Sequence, residues 1–381
     1  MDTVLSSDTP ETATPTPLGA LLAASHPDHE AGVYHGMMTP RQLDAPERET
    51  EALAAGAAVH DLGWLRRVAV RGEDRSRWLN GMVTNKVSEL EPGAGAWSLV
   101  LNAQGRIQGD LTVWRDGDSL EIEWAADQQD RLLAHLDRFI IMDDVELGPP
   151  GEQTVLGVTG PQADAVLERL GLPTLPEPMT QTRAAWNGLE LRVVREYGVL
   201  AQHYQLWTPP AAIGELWQAL GAAGATPVGT ASLEAFRIAQ GIPAYGIDIV
   251  ERDLAQETSQ LRALNFNKGC YLGQEIVERI RSRGNVHRHL RQLELSGPVP
   301  AAGTDLTLPG EAAGKASGHI TSAAQLPLAG ASRIFALGMI RAEAEHGSQP
   351  LVFTAGTATG TARILAAPPS LVPDRNGSRE S

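Results

Sequence analysis

The amino-acid sequence predicts an α+β protein with a ferredoxin-like middle unit and a small C-terminal antiparallel β-barrel. Three observations carry this expectation. Strand-like and helix-like runs follow one another through about residue 286, with no long stretch of either type alone. Asp116-Gly117 and Asn187-Gly188 stand between short apolar runs, where such pairs close hairpins. After about Val286 helical periodicity disappears. Short apolar runs at Leu290–Leu295, Ile334–Ile340, Leu351–Phe353 and Thr361–Leu365 then alternate with Gly/Pro clusters.

Taken in order, residues 1–40 are rich in Thr, Pro, Ala and Ser and read as a disordered leader. The first folded unit begins near Arg41. Val68 and Val70 alternate as on a strand that Gly72 ends, and Asp74 is placed to cap a short helix carrying Trp78 and Leu79, closed by Gly81. Strand-like runs follow at Trp97–Leu101, Ile107–Trp114 and Leu120–Trp124, then a helix with Leu132, Leu133, Leu136 and Ile140 at near-helical spacing. A fresh unit spans 151–229: a strand at Thr154–Val158, a helix opened by Gly160-Pro161 and closed by Gly171, a hairpin at Arg183–Val194, a strand at Tyr204–Trp207 and a helix from Pro210 to Gly221. Thr230 is placed to cap a helix holding Leu233 and Phe236, stopped by Gly241-Ile242-Pro243. Residues 41–150 and 230–286 thus read as one α+β core, 287–366 as the barrel, and 367–381 as a disordered tail.

The 381 residues carry a formal charge of 31 − 46 = −15, which argues against indiscriminate binding to nucleic acid or an anionic membrane surface. No apolar run reaches the roughly 18 residues of a membrane span, and no basic region precedes an apolar stretch at the N-terminus. One cysteine excludes an intrachain disulfide and any all-cysteine zinc or iron–sulfur site within one chain. A free thiol suits a reducing compartment, so the expected location is the cytoplasm.

That cysteine lies in Lys268-Gly269-Cys270-Tyr271-Leu272-Gly273-Gln274-Glu275. From Gly273 the pattern turns helical, with Ile276, Val277 and Ile280 on one face and Glu275 four residues before Arg279. A cysteine just ahead of a helix N-terminus, with Lys268 two residues upstream, is in a setting that favours thiolate. The alternative is a small buried hydrophobe. Between Arg279 and Arg291 stand Arg279, Arg281, Arg283, Arg288, Arg291, His287 and His289. This basic stretch suits a polyglutamate tail, a phosphate or an RNA backbone, or else a helix end whose arginines complement the dipole. His287 and His289 lack a third ligand at metal spacing, and no metal site is expected. Neither Gly93/Gly95 nor Gly356/Gly360 forms a phosphate loop.

The run K-G-C-Y-x-G-Q-E resembles the signature of the YgfZ-type folate-binding proteins, relatives of the aminomethyltransferase (T protein) of the glycine cleavage system. The likeness runs from roughly residue 40 to 365. His60-Asp61-Leu62 through Gly81-Met82-Val83-Thr84-Asn85 is similar to the opening block of the aminomethyltransferase domain, and Leu233 through Gly246 to its second block. The resemblance implies three domains around a funnel that holds tetrahydrofolate or a derivative. It implies a cofactor site at Asn85, Tyr197, Gln202, Tyr245, Gly269, Tyr271, Gly273, Gln274 and Glu275, with Cys270, Lys268 and Asp110 as the chemically active set. It further implies a role in assembly or repair of iron–sulfur enzymes, linked to tRNA modification, with iron–sulfur client or assembly proteins as partners. Transfer of a one-carbon unit to tetrahydrofolate is the alternative, and a binding module with an inert cysteine a third.

Two departures bear on that choice. Aminomethyltransferases carry a Gly-Gly-x-x-Asp-Asp segment, whereas the run here is Gly105-Arg106-Ile107-Gln108-Gly109-Asp110, so one carboxylate is a glycine. Asp110 then either holds a proton or steadies a cation alone, or is a solvated strand-edge residue. Relatives also place a pterin-binding glutamate in a run that overlays Arg195–Ala201, where it falls on Ala201; Gln202 and Glu196 are the neighbouring candidates to replace it.

Overall fold

The computed structural model describes residues 13–25, 30–284, 286–310, 316–328, 331–347 and 349–371. It begins with α1 (Pro17–Ser25) and a hairpin of β1 (Glu30–Tyr34) and β2 (Met37–Gln42), then α2 (Pro46–Ala55) and β3 (Ala58–Asp61). β4 (Leu65–Arg71) and α3 (Arg75–Met82) precede a meander of β5 (Gly95–Leu101), β6 (Ile107–Asp116) and β7 (Ser119–Ala125), followed by α4 (Gln129–Asp137) and β8 (Glu146–Pro150). β4 to β8 form an antiparallel sheet in the order β5-β6-β7-β4-β8. Its core joins Val68, Val113 and Ile122 to Trp78 and Leu79 of α3 and Leu132 and Leu136 of α4.

The middle sheet is built from β9 (Thr154–Thr159), α5 (Ala163–Arg169), β10 (Thr180–Trp186), β11 (Leu189–Glu196), β12 (His203–Thr208), α6 (Ile213–Ala222) and β13 (Thr226–Val228). Asn187 and Gly188 both take positive φ, 48° and 78°, as the two-residue turn between β10 and β11 requires. Strand order is β10-β11-β12-β9-β3-β13, so β3 crosses the boundary expected at residue 150 and is a middle-sheet strand. It reads as the start of the first unit because it is adjacent to β4 in sequence. Its partners, β9 and β13, lie about a hundred residues or more away and leave no local signal.

α7 (Thr230–Ala239) follows, and α8 (Gln274–Arg283) starts at Gly273 as expected. The last six strands are β14 (Arg288–Ser296), β15 (Asp305–Leu306), β16 (Gly318–Leu328), β17 (Ala331–Arg341), β18 (Leu351–Ala355) and β19 (Ala358–Ile364), in the order β15-β16-β17-β14-β19-β18. Reciprocal backbone hydrogen bonds between Thr307 and Val352, 2.9 and 2.8 Å, draw the two edges together, so the sheet is a nearly closed antiparallel barrel. α7 wedges between this barrel and the rest, with Phe236 and Ile238 packed among Leu53, Leu326 and Phe335.

Three local expectations need correction. Within the expected leader, residues 17–25 and 30–40 are structured, the latter as a hairpin that runs on to Gln42: Leu18 and Leu22 bury into the middle core beside Leu216 and Leu220. A helix of nine residues offers too few turns for periodicity to register. Asp74 does not cap α3 with its side chain; its carboxylate accepts Asp144 N at 3.0 Å and Arg77 at 3.1 Å. Thr230 is the first residue of α7 rather than its cap, and its hydroxyl donates to Pro40 O at 3.1 Å. Of the expected tail, residues 372–381 lie outside the described residues.

Glu49 ties three of these segments. Buried on α2, it accepts Leu43 N (2.7 Å), Asp44 N (2.9 Å), Gly229 N (3.2 Å) and the Ser232 hydroxyl (2.5 Å). Glu49→Ala strands these donors away from water, and urea denaturation should show a loss of about 2–5 kcal/mol. A loss under about 1 kcal/mol would mean that water replaces the carboxylate.

Candidate functional site

A cavity of about 250 Å³ opens where the first and middle sheets meet the N-terminal hairpin and α7. Its walls are aromatic, with Tyr34, Trp64, Trp97, Trp124, Tyr197, Phe236 and Tyr245, and a few polar groups converge on it: Asp110, Glu123, Glu196, His203, Arg237 and Arg262. Mostly apolar walls with few placed polar groups are the usual construction of a small-molecule site.

Asp110 stands on β6, an inner strand, so it is not the solvated edge residue of one sequence reading. Trp97 Nε1 donates to its Oδ2 at 3.0 Å and Gln128 Nε2 to its Oδ1 at 2.8 Å, yet burial outweighs both and raises its pKa. A second carboxylate at Gly109 would displace the Gln128 amide and the Leu132 methyls. A Cβ there would lie 2.7 Å from Gln128 Oε1 and 2.8 Å from a Leu132 methyl. That Gln128 oxygen is already fixed by Asp110 N at 3.1 Å.

Glu196 ends β11 at the cavity wall. Burial, and then the negative charge of nearby Glu123, push its carboxyl up to about 8. Gln205 Nε2 bridges the two, 2.9 Å from Glu123 and 3.3 Å from Glu196. Directly across the β11–β12 pair from Glu196 stands His203, and Thr159 on β9 lies beyond it, with its Oγ1 2.6 Å from His203 Nδ1 and 2.9 Å from His60 Nε2. Burial holds both rings neutral, lowering His203 to about 4 and His60 well below its ordinary value. A neutral His203 keeps one ring nitrogen for a ligand.

Three of the expected site residues line this cavity: Asp110, Tyr197 and Tyr245. None of Lys268–Glu275 does. Tyr271 is buried with Leu99, Leu101 and Ile107. Gly273 takes φ 81° at the start of α8, where a Cβ would lie 2.6 Å from Asn102 O. Gln274 Oε1 accepts Tyr271 N at 3.3 Å, Glu275 pairs with Arg279 on the surface, and Gly269 and Cys270 are exposed. Gln202 turns its amide to Asp164, 2.8 Å away, and Ala201 packs toward the α7 cluster.

Lys268 does not serve the thiol as expected. Its Nζ donates to Asn80 O (2.5 Å), Val83 O (2.6 Å) and Asn85 O (2.7 Å), so all three protons are engaged on the last turn of α3 and the loop after it. Burial lowers its pKa to about 7, while three carbonyls that only an ammonium can satisfy together hold the proton. Asn85 stays outside the cavity, but its Nδ2 donates to Trp97 O (3.0 Å) and Arg262 O (2.9 Å) and fixes both of those wall residues.

The basic stretch is largely neutralised. Arg288 pairs with Asp253 (2.9 Å) and Glu257 (3.0 Å), Arg291 and His289 with Glu345 (2.6 and 2.5 Å), and Arg279 with Glu275 (2.7 Å). Arg281 lies 3.6 Å from Glu278, and the side chain of Arg283 is outside the described residues. Among the described residues no group of three His, Cys, Asp or Glu is arranged to hold a metal, and no helix is long and apolar enough to cross a membrane.

Sequence reading missed Glu123, His203, Thr159 and Arg262 as wall residues. A signal exists for His203 and Gln205, which alternate with Tyr204 and Leu206 and give a strand one polar face. None exists for Arg262.

A family model, the GCVT N-terminal domain, matches residues 25–268. The chain belongs to that family. Its relatives include an aminomethyltransferase of Rubrobacter xylanophilus, 27% identical over 326 residues that cover 84% of this chain and 85% of that one. A putative chloroplastic transferase of Arabidopsis thaliana is 26% identical over 286 residues, 73% of this chain; the match spans only 65% of that relative's length. The crystal structure of glycine cleavage system aminomethyltransferase T from Bartonella henselae shares the GCVT fold, with a TM-score of 0.83 at 19% identity, covering 94% of this chain and 99% of that one.

The raised Glu196 carboxyl has a thermodynamic sign. Between its ordinary value of 4.5 and about 8, the folded chain holds a proton that the unfolded chain has released. Its contribution to stability is therefore full below about pH 4.5 and is lost as pH rises through about 8. Measured from pH 5 to 8.5, the melting temperature of the parent should fall relative to that of Glu196→Gln, as the parent alone loses that contribution. Parallel curves would mean that Glu196 titrates as an exposed carboxylate.

Proposed function

We propose that this chain binds a tetrahydrofolate in the central cavity and acts as a YgfZ-type factor for assembly or repair of iron–sulfur enzymes. The cavity carries the reading: buried carboxyls on aromatic walls suit a flat heterocycle with several N–H donors, which favour the ionised form of the carboxyl they meet. Glu196, not Ala201 or Gln202, is the wall carboxyl placed to accept those donors. Asp110, gripped by Trp97 and Gln128, is placed to hold a proton or steady a developing cation at the opposite sheet. When bound, the folate supplies one-carbon chemistry; the protein orients it, shuts out water and manages protons at these two carboxyls.

Two observations favour the factor over an aminomethyltransferase. A carboxylate at Gly109 would need Gln128 and Leu132 to shift, and the thiol of Cys270 is exposed outside the cavity, where it meets a partner protein rather than the cavity's ligand. The aminomethyltransferase reading keeps one support, since Asp110 remains on the cavity wall.

Calorimetric titration with tetrahydrofolate should show binding that Glu196→Ala weakens roughly 10- to 100-fold, the scale of one to two lost hydrogen bonds. Absence of binding by the parent sinks the folate reading. In cells lacking the protein, Cys270→Ser should abolish rescue of iron–sulfur enzyme activity, because serine is neither a useful nucleophile nor a soft ligand at neutral pH. Asp110→Asn should matter less. If Asp110→Asn alone kills rescue while both variants melt like the parent, the transferase reading wins.

A further inference from the structure

Two arginines line the cavity, and they are treated differently. Arg237 is held by Glu234 at 2.5 Å and Asp248 at 2.7 Å. Arg262 has no carboxylate within 4 Å among the described residues, although Glu196 and Asp110 share the cavity and act on it through space; the one hydrogen bond of its guanidinium is a long one, Nε to Gln260 Oε1 at 3.4 Å. Its guanidinium carbon instead lies 4.1 Å from the centre of the Trp97 ring and 4.1 Å from that of Tyr197. Two such ring contacts hold the guanidinium in place without engaging its N–H donors, and the residue lines the cavity.

A largely desolvated charge with no ion partner is costly unless something else completes it. In a chain with fifteen surplus negative charges, carboxylates are not scarce. They pair with the other cavity-lining arginine and most of the basic stretch, yet among the described residues none comes within 4 Å of this one. The stack is also braced from behind, since Asn85 holds the backbone carbonyls of both Trp97 and Arg262. Lys268 in turn anchors Asn85.

We propose that Arg262 is an oxyanion subsite that takes a carboxylate of the cavity's ligand. The ligand is then bipolar: its hydrogen-bond-donating end meets Glu196 and Asp110, and its anionic end meets the stacked guanidinium. Under the folate reading above, that anionic end is the glutamyl carboxylate, but the subsite itself does not require the pterin.

Calorimetry with three probes separates the two ideas. p-Aminobenzoylglutamate carries the carboxylates without the pterin, tetrahydropterin the reverse, and tetrahydrofolate both. Arg262→Gln should weaken p-aminobenzoylglutamate and tetrahydrofolate about 10- to 150-fold and leave tetrahydropterin unchanged. Arg262→Lys, which keeps charge but not the flat fork, should recover only part. Rising sodium chloride should weaken p-aminobenzoylglutamate binding to the parent and spare tetrahydropterin, a readout that needs no variant. Loss of the anionic probe alone, with no pterin compound bound by the parent, keeps the subsite and discards the folate reading. Equal binding of tetrahydrofolate by the parent and a normally melting Arg262→Gln overturns the subsite and leaves the folate reading standing. Failure of the parent to bind any carboxylate probe also overturns it.

Discussion

Glu123 is where the first and middle sheets are joined, and the cavity exists because of that joint. Arg67 on β4 donates through Nε to Glu123 at 2.9 Å and through Nη1 to Gln181 of the middle sheet at 2.9 Å. Trp114 Nε1 reaches the same carboxylate at 3.1 Å, and Gln205 of the middle sheet donates to its other oxygen at 2.9 Å. The guanidinium lies over the Trp207 ring at 4.4 Å and nearer the edge of range to Trp114 at 5.3 Å. Buried charge is costly to create, so such a pair is weak evidence for net stability. Removing one partner, however, costs about 3–5 kcal/mol, which makes the arrangement hard to leave once formed. Burial raises the Glu196 carboxyl most, and the charge of Glu123 adds to it, so the group that fixes the seam also bears on the chemistry beside it.

The cysteine-bearing signature acts on the cavity indirectly. Lys268 closes the loop after α3 onto three carbonyls, that loop presents Asn85, and Asn85 positions Trp97 and Arg262. Tyr271 packs beneath, with the Lys268 ammonium 4.9 Å from its ring centre. A motif outside the cavity therefore sets part of its wall. Its free end, Gly269-Cys270, is left exposed and close in sequence to that anchor. The rigidity of the motif and the accessibility of its thiol have one origin: the lysine holds the segment from within while the cysteine faces out.

The sequence by itself determined the alternation of strands and helices, the β10–β11 turn, the start of α8 at Gly273 and the C-terminal barrel. Each rests on short-range effects: positive φ at Gly and Asn, side-chain period, and the punctuation of Gly and Pro. It also singled out Asp110 and the signature. Only the tertiary structure decided which side chains share the cavity. β3 joined a sheet far along the chain, a nine-residue helix from the expected leader became core, and Lys268 turned from the thiol to three carbonyls. Arg262 and Glu123 gained their roles from neighbours 56 or more residues distant, Tyr197 and Trp97 for one and Arg67 and Gln205 for the other. Burial and charge pairing are properties of the assembled surroundings, and a linear pattern of residue types carries no record of them.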